Sequence, residues 1–208
     1  MTSCYNRIAG QSIARIEALS DGVFAVAMTL LVLDLHAPAK EAIASEGALL
    51  NALAALAPKL VVYLMSFLTL GIFWVGQQTQ LNHTGRANRD LAWLHLAFLF
   101  AVTLMPFSTI VMSGFIAYRA ALLLYWGNIL LLGALLYATW SYAGREQLLS
   151  AEVTEDIRQG VRGRIVVSQS LYAVGAALCL VNTYCSLAFI ILVQLNYAIA
   201  PRLPWHRR

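Results

Sequence analysis

The sequence predicts an all-α integral membrane protein with six transmembrane helices and both termini in the cytoplasm. Three observations predict it. Of the 208 residues, 60% are hydrophobic and only 12% are charged, whereas a soluble domain carries about 25% charged residues. The apolar residues fall into runs of the length that a lipid bilayer requires. The basic residues crowd into alternate connecting segments, the asymmetry that orients membrane helices.

The amino-terminal stretch MTSCYNRIAGQS is polar and has no apolar core followed by a small-residue cleavage site. The first apolar segment therefore reads as a retained helix rather than a signal peptide. That helix spans about 13–35, with the amphipathic SIARIEALSD leading into GVFAVAMTLLVLDL. The second, about 59–80, is built on KLVVYLMSFLTLGIFWVG, and the third, about 91–112, on LAWLHLAFLFAVTLMPFSTIVM. The fourth, about 119–142, contains ALLLYWGNILLLGALLYATW. The last apolar region, 165–200, is twice the length of one span and is interrupted at NTYCS, so it divides into spans at about 163–182 and 185–201. The run GALLNALAAL before Pro58 is too short to cross and reads as an outer helix at the interface. Residues 144–163 read as a cytoplasmic connector, and no second domain interrupts 1–208.

Charge tests the count. Six spans leave eleven of the 14 basic residues inside, among them Arg7, Arg15, Arg86, Arg145 and Arg208, and only Lys40, Lys59 and Arg119 outside. Merging 165–200 into one span would place the C-terminal arginines outside and weaken this bias.

Several chemistries have no motif to carry them. Cys4, Cys179 and Cys185 form no CxxC pair, and His36, His83, His95 and His206 lie on different elements without metal-ligand spacing. No cofactor or metal site is expected. Nucleophile elbow, phosphate loop and glycine-rich carbonyl filter are all missing. The basic residues sit in loops rather than in a stripe interleaved with aromatics, so no nucleic-acid partner is expected. A catalytic role is left without residues, and a pore or small transporter remains.

The first helix carries the sharpest local pattern. At 100° per residue, Leu19, Gly22, Val26, Thr29, Leu30 and Leu33 share one face, while Ser20 and Asp21 point away from it. That face fits two readings, core or lipid contact on one hand and an apolar pore wall that gates by dewetting on the other. A carboxylate in the first turns of an apolar helix must be satisfied. Tyr63, Ser66, Trp74, Gln77, His95 and Asn128 on other spans are the candidate partners.

At these residues the sequence resembles the bacterial members of the transmembrane protein 175 family of potassium channels. Their R-x-x-x-F-S-D signature reads here Arg15-Ile-Glu-Ala-Leu19-Ser20-Asp21, and VYLMSF, Trp74 and Pro106-Phe107 are similar on the next two helices. The resemblance implies a homotetramer whose first helix lines a central pore, passing monovalent cations and favouring potassium without a carbonyl filter. It implies a constriction at Val26, Leu30 and Leu33 with Thr29 as the hydroxyl position, and a structural network of Arg15, Ser20, Asp21, Trp74 and Gln77. Leu19 departs from the family's Phe, Gln77 from its His and His95 from its Asn. Gln77 cannot titrate, so pH dependence routed through that position is not expected.

Potassium transport across the plasma membrane is the expectation. The alternative is a proton-coupled secondary transporter using Asp21 and His95, the ionisable pair at membrane depth. A non-conducting membrane scaffold is the third possibility.

Overall fold

A computed structural model describes residues 10–199. Helix α1, Ile13–Leu30, begins where the Ser12 hydroxyl accepts the Arg15 N–H, and it tightens into a 3₁₀ turn over Leu31–Asp34. Helix α2, Glu46–Ala54, is capped by Ser45 and buries none of its residues. The outer Ala/Leu segment is therefore helical but contributes nothing to the core. Helix α3, Ala57–Asn82, carries Pro58 in its first turn, where no backbone donor is lost. Next come α4, Arg89–Thr103, capped by Asn88, then α5, Met105–Gly114, and α6, Arg119–Arg145. Helix α7, Glu155–Ala177, runs into a 3₁₀ turn over Leu178–Leu180, and α8 is Thr183–Ile199.

Among the described residues five segments are long and apolar enough to cross a membrane: α1 with its extension, α3, the α4–α5 pair, α6, and α7 with its extension. Helix α8 is apolar but has 17 residues, about 25 Å at helical rise against a hydrocarbon core of about 30 Å. The long apolar region from 165 onward does turn near Asn182. The arginines at 202, 207 and 208 lie outside the described residues.

Two segments differ from expectation. The 144–163 connector is only partly a loop, because α7 starts at Glu155. The Thr154 hydroxyl accepts the Ile157 N–H, Glu155 and Asp156 stand in the first turn, and Ile157, Val161 and Ile165 continue one stripe. Acids at a helix N-terminus favour this start. The residues between the helices are pinned to the turn after α3. The Gly85 and Arg86 N–H groups donate to the Leu148 carbonyl at 2.9 and 3.1 Å, and Ser150 N–H donates to His83 at 2.9 Å.

The third apolar run is not one helix. Pro106 has no N–H and its ring crowds the preceding turn, so the ladder breaks at Leu104. The Asn128 side chain of α6 fills the gap. In the orientation that satisfies both ends of its carboxamide, it donates to the Ala101 carbonyl at 3.1 Å and accepts the Met105 N–H at 3.1 Å. It thus replaces the severed i to i−4 bond, an inserted side chain being a recognised cause of a kink.

A second polar knot joins α3, α5, α6 and α8. The buried Tyr125 hydroxyl lies 3.3 Å from Ser66 Oγ and 3.0 Å from Thr69 Oγ1. Thr109 donates to Ser66 at 2.8 Å, and Gln194 donates to Thr69 at 2.6 Å. Helices α7 and α8 meet at Gly175, where a Cβ would come within 2.9 Å of Ile190, the close approach that small residues permit in membrane bundles.

Replacing Asn128 by Leu strands the Ala101 carbonyl and the Met105 N–H in an apolar setting. The loss is expected to be about 1–3 kcal/mol, read as a lowered midpoint of thermal unfolding in detergent. An unchanged midpoint would remove the bridge from the account of the kink.

Candidate functional site

Helix α1 is the least covered of the spans. Only 22% of its most apolar window is buried, against 39%, 44% and 44% for the next three. Its covered side is a line at helical spacing, Ser20, Phe24, Ala27 and Leu31, packed against α3 and α4. The Phe24 ring sits 6.0 Å from that of Phe98, inside the main core. The opposite side is bare: Val26 is 58% exposed, Leu30 43% and Leu33 65%. Thr29 and Gly22 are exposed with them, and nothing lies within 4 Å of where a Gly22 Cβ would be. The face drawn from periodicity is therefore the face that the chain leaves unpacked. The Thr29 hydroxyl donates to the Val26 carbonyl at 2.8 Å, so its oxygen offers only lone pairs outward.

The polar residues hold the covered side. Ser20, wholly buried, donates to the Ile16 carbonyl at 2.8 Å and accepts from Gln77 Nε2 at 3.1 Å. The same Gln77 nitrogen lies 3.3 Å from His95 Nδ1, so one carboxamide of α3 bridges α1 and α4. The Gln77 Oε1 atom is buried without a partner. The Asp21 carboxylate accepts from Trp74 Nε1 at 2.9 Å and from Gln78 Nε2 at 2.8 Å, both on Oδ1.

The structure thus brings together four of the five expected network residues, Ser20, Asp21, Trp74 and Gln77. It does not bring in Arg15, whose side chain is exposed and whose hydrogen bond among the described residues is made by its backbone. Asp21 is itself exposed, at the border of the bare face rather than buried behind it. Asp21 and His95 are not bonded to each other, being held by different α3 residues. Tyr63, Ser66 and Asn128 do not reach Asp21; Ser66 and Asn128 belong to the knots described above.

Two participants were not read from the sequence. Gln78 is the second donor to Asp21, and its position four residues after Trp74 is the signal that places it on the same face of α3. Asp34, at the end of the α1 extension, accepts from Ser113 of α5 and fastens the far end of the helix. Among the described residues no group of three or more His, Cys, Asp or Glu side chains could hold a metal ion.

The described residues thus form a helical bundle with several spans long and apolar enough to cross a membrane, in which one helix is fastened by polar bonds on one side and bare on the other. A family model described as endosomal/lysosomal potassium channel TMEM175 matches residues 15–106, the segment that holds most of α1, all of α3 and α4, and Ser20, Asp21, Trp74, Gln77, Gln78 and His95. The fold is similar to the crystal structure of a lysosomal potassium-selective channel TMEM175 homolog from Chamaesiphon minutus. The TM-score is 0.78 at 25% identity, covering 90% of this chain and 97% of that one. A potassium channel from Chamaesiphon minutus is 26% identical over 189 residues, covering 89% of this chain and 93% of its own length. A potassium channel of Streptomyces collinus is 38% identical over 102 residues, and this match spans about half of each protein, 49% and 48%. The human endosomal/lysosomal proton channel TMEM175 is 34% identical over 97 residues, 44% of this chain and 19% of that protein. Over residues 15–106 the chain is similar to TMEM175 proteins, and these relatives are described as ion channels.

Hydrogen bonds between membrane helices contribute about 0.6 kcal/mol on average and up to about 1.7. Asp21→Ala, which removes two, is expected to cost about 1–2 kcal/mol of thermal stability, and Trp74→Phe about half of that. Equal losses for Trp74→Phe in the wild-type and Asp21→Ala backgrounds would show that the pair does not couple.

Proposed function

We propose that this protein is a potassium-favouring cation channel of the plasma membrane, in which four copies place the bare face of α1 around one pore. The carrying observation is that Val26, Leu30 and Leu33 are exposed on one face of a helix whose other side is bonded to α3. Chains this similar that bear the name potassium channel, along nearly the full length in one case, support the reading. Val26, Leu30 and Leu33 form the constriction, and dewetting of this apolar ring controls passage. Thr29, with its lone pairs directed outward, serves a partly dehydrated ion. Ser20 and Gln77 from behind, and Asp21 and Trp74 at the border of the face, fix the rotation of the helix, and Arg15 serves at the cytoplasmic end, toward the headgroups or a neighbouring copy. An apolar groove of about 400 Å³, lined by Leu19, Val26, Leu30, Thr103 and Pro106 among others, offers a neighbouring subunit a seat beside α1. The chain forms one six-span unit over 1–208, with α8 as the sixth span and both ends cytoplasmic, the arrangement that keeps eleven basic residues inside. Potassium ions are its cargo, and no cofactor is needed.

Purified tetramer in liposomes is expected to pass potassium above the level of empty vesicles. Absence of flux from folded tetramer would overturn the channel reading. Saturable uptake abolished by Asp21→Asn, without single-channel steps, would favour the transporter. Leu30→Ser and Leu33→Ser widen and wet the constriction and are expected to raise single-channel conductance or open probability severalfold. Unchanged currents in both variants would remove these leucines from the narrowest point.

A further inference from the structure

Away from α1, a cavity of about 90 Å³ opens between α3, α6, α7 and α8. Its walls include Ile72, Phe73, Leu136 and Ile165, yet its polar lining is unbalanced. Gln80 is 2% exposed, and its Nε2 donates to the Leu136 carbonyl at 3.1 Å while its Oε1 has no partner. The Gln169 Oε1 is also buried without a partner. The Gln169 amide lies against Gly133, where any Cβ would come within 2.0 Å of its nitrogen. The hydroxyls of Thr79 and Ser168 give their protons to the Val75 and Ile165 carbonyls at 2.7 and 2.9 Å, so toward the cavity they can only accept. The buried Tyr172 hydroxyl lines the same cavity and is also without a partner, so its open buried atoms are two carboxamide oxygens, which only accept, and one phenol, which can do both. Buried acceptors left in this state are unfavourable, and native sites of this kind hold a donor-bearing occupant.

At the rim stands Arg164. Its guanidinium lies 5.4 Å from the centre of the Tyr197 ring, and no described carboxylate pairs with it. Arg164 immediately precedes Ile165, where the apolar run of α7 begins, which sets it at headgroup depth. Basic positions at that depth between membrane helices suit lipid phosphates.

We propose that this cavity is a binding site for the ethanolamine headgroup of a phospholipid. Arg164 faces the phosphate. The ammonium enters between α3 and α7, where its N–H groups serve Gln80 Oε1 and Gln169 Oε1. An ammonium brings three donors and no acceptor, enough for the two carboxamide oxygens and the Tyr172 oxygen. A choline headgroup has the same net charge and the same phosphate but no N–H. The site is independent of ion conduction, so neither reading depends on the other.

The test compares phosphatidylethanolamine with phosphatidylcholine of identical acyl chains, added to delipidated full-length protein. Retention is read by native mass spectrometry and stability by thermal unfolding. The wild type is expected to retain the ethanolamine lipid about fivefold or more over the choline lipid, the discrimination that a lost hydrogen bond supports, and to unfold at a higher temperature with it. Arg164→Gln and Gln169→Leu are expected to abolish both differences while unfolding without lipid as the wild type does. They carry the test even if Gln80→Leu does not fold. Equal retention of the two lipids by the wild type would mean that water alone fills the cavity and would overturn the proposal. A preference that survives Arg164→Gln and Gln169→Leu would place the lipid elsewhere and overturn it equally. Stronger retention of phosphatidylglycerol would overturn the ethanolamine assignment.

Discussion

The fastening of α1 to α3 is the interaction on which the rest depends. Within a bilayer, apolar side chains gain little by choosing a helix over lipid, so packing alone does not fix the rotation of an outer helix. Polar groups do fix it, because leaving them unpaired in hydrocarbon is costly. Ser20 and Asp21 are bonded by Gln77, Trp74 and Gln78, three donors within five residues of α3. Once these bonds are made, Val26, Leu30 and Leu33 can only face outward. The apolar face contributes little to the stability of the single chain and is left open.

The same economy recurs through the bundle. The Tyr125 knot ties four helices with hydroxyls and one carboxamide, and the Asn128 side chain repairs the ladder that Pro106 breaks. These groups are buried inside the chain, whereas Asp21 stays exposed at the edge of the bare face. Both of its bonds fall on one carboxylate oxygen and leave the other outside them. Asp21 is thus placed to orient the helix without entering the apolar line of the proposed constriction.

Much of this was legible in the sequence. Length, composition and charge asymmetry gave the helical membrane class, and helical periodicity gave the face through Val26, Leu30 and Leu33, because both depend on local repetition along the chain. The motif around Ser20 and Asp21 pointed to Trp74 and Gln77. Gln78 was within reach of the same reasoning, since it stands one turn after Trp74. The role of Asn128, the helical start at Glu155 and the acceptor-lined cavity at Gln80 and Gln169 were not legible, because each depends on which residues of distant segments come to lie opposite one another.

The sequence by itself determined that the chain is built of long apolar helices, which side of α1 is apolar and which family the motif resembles. Only the tertiary structure decided that this apolar side is the uncovered one, that Arg15 lies apart from the bonds that hold Ser20 and Asp21, and that the third apolar run is two helices joined at a mended break. The physical reason is that periodicity specifies directions around one helix axis, while partners are chosen by the packing of all the axes together. An apolar stripe looks the same in one dimension whether it meets a core, lipid or a second copy of the chain.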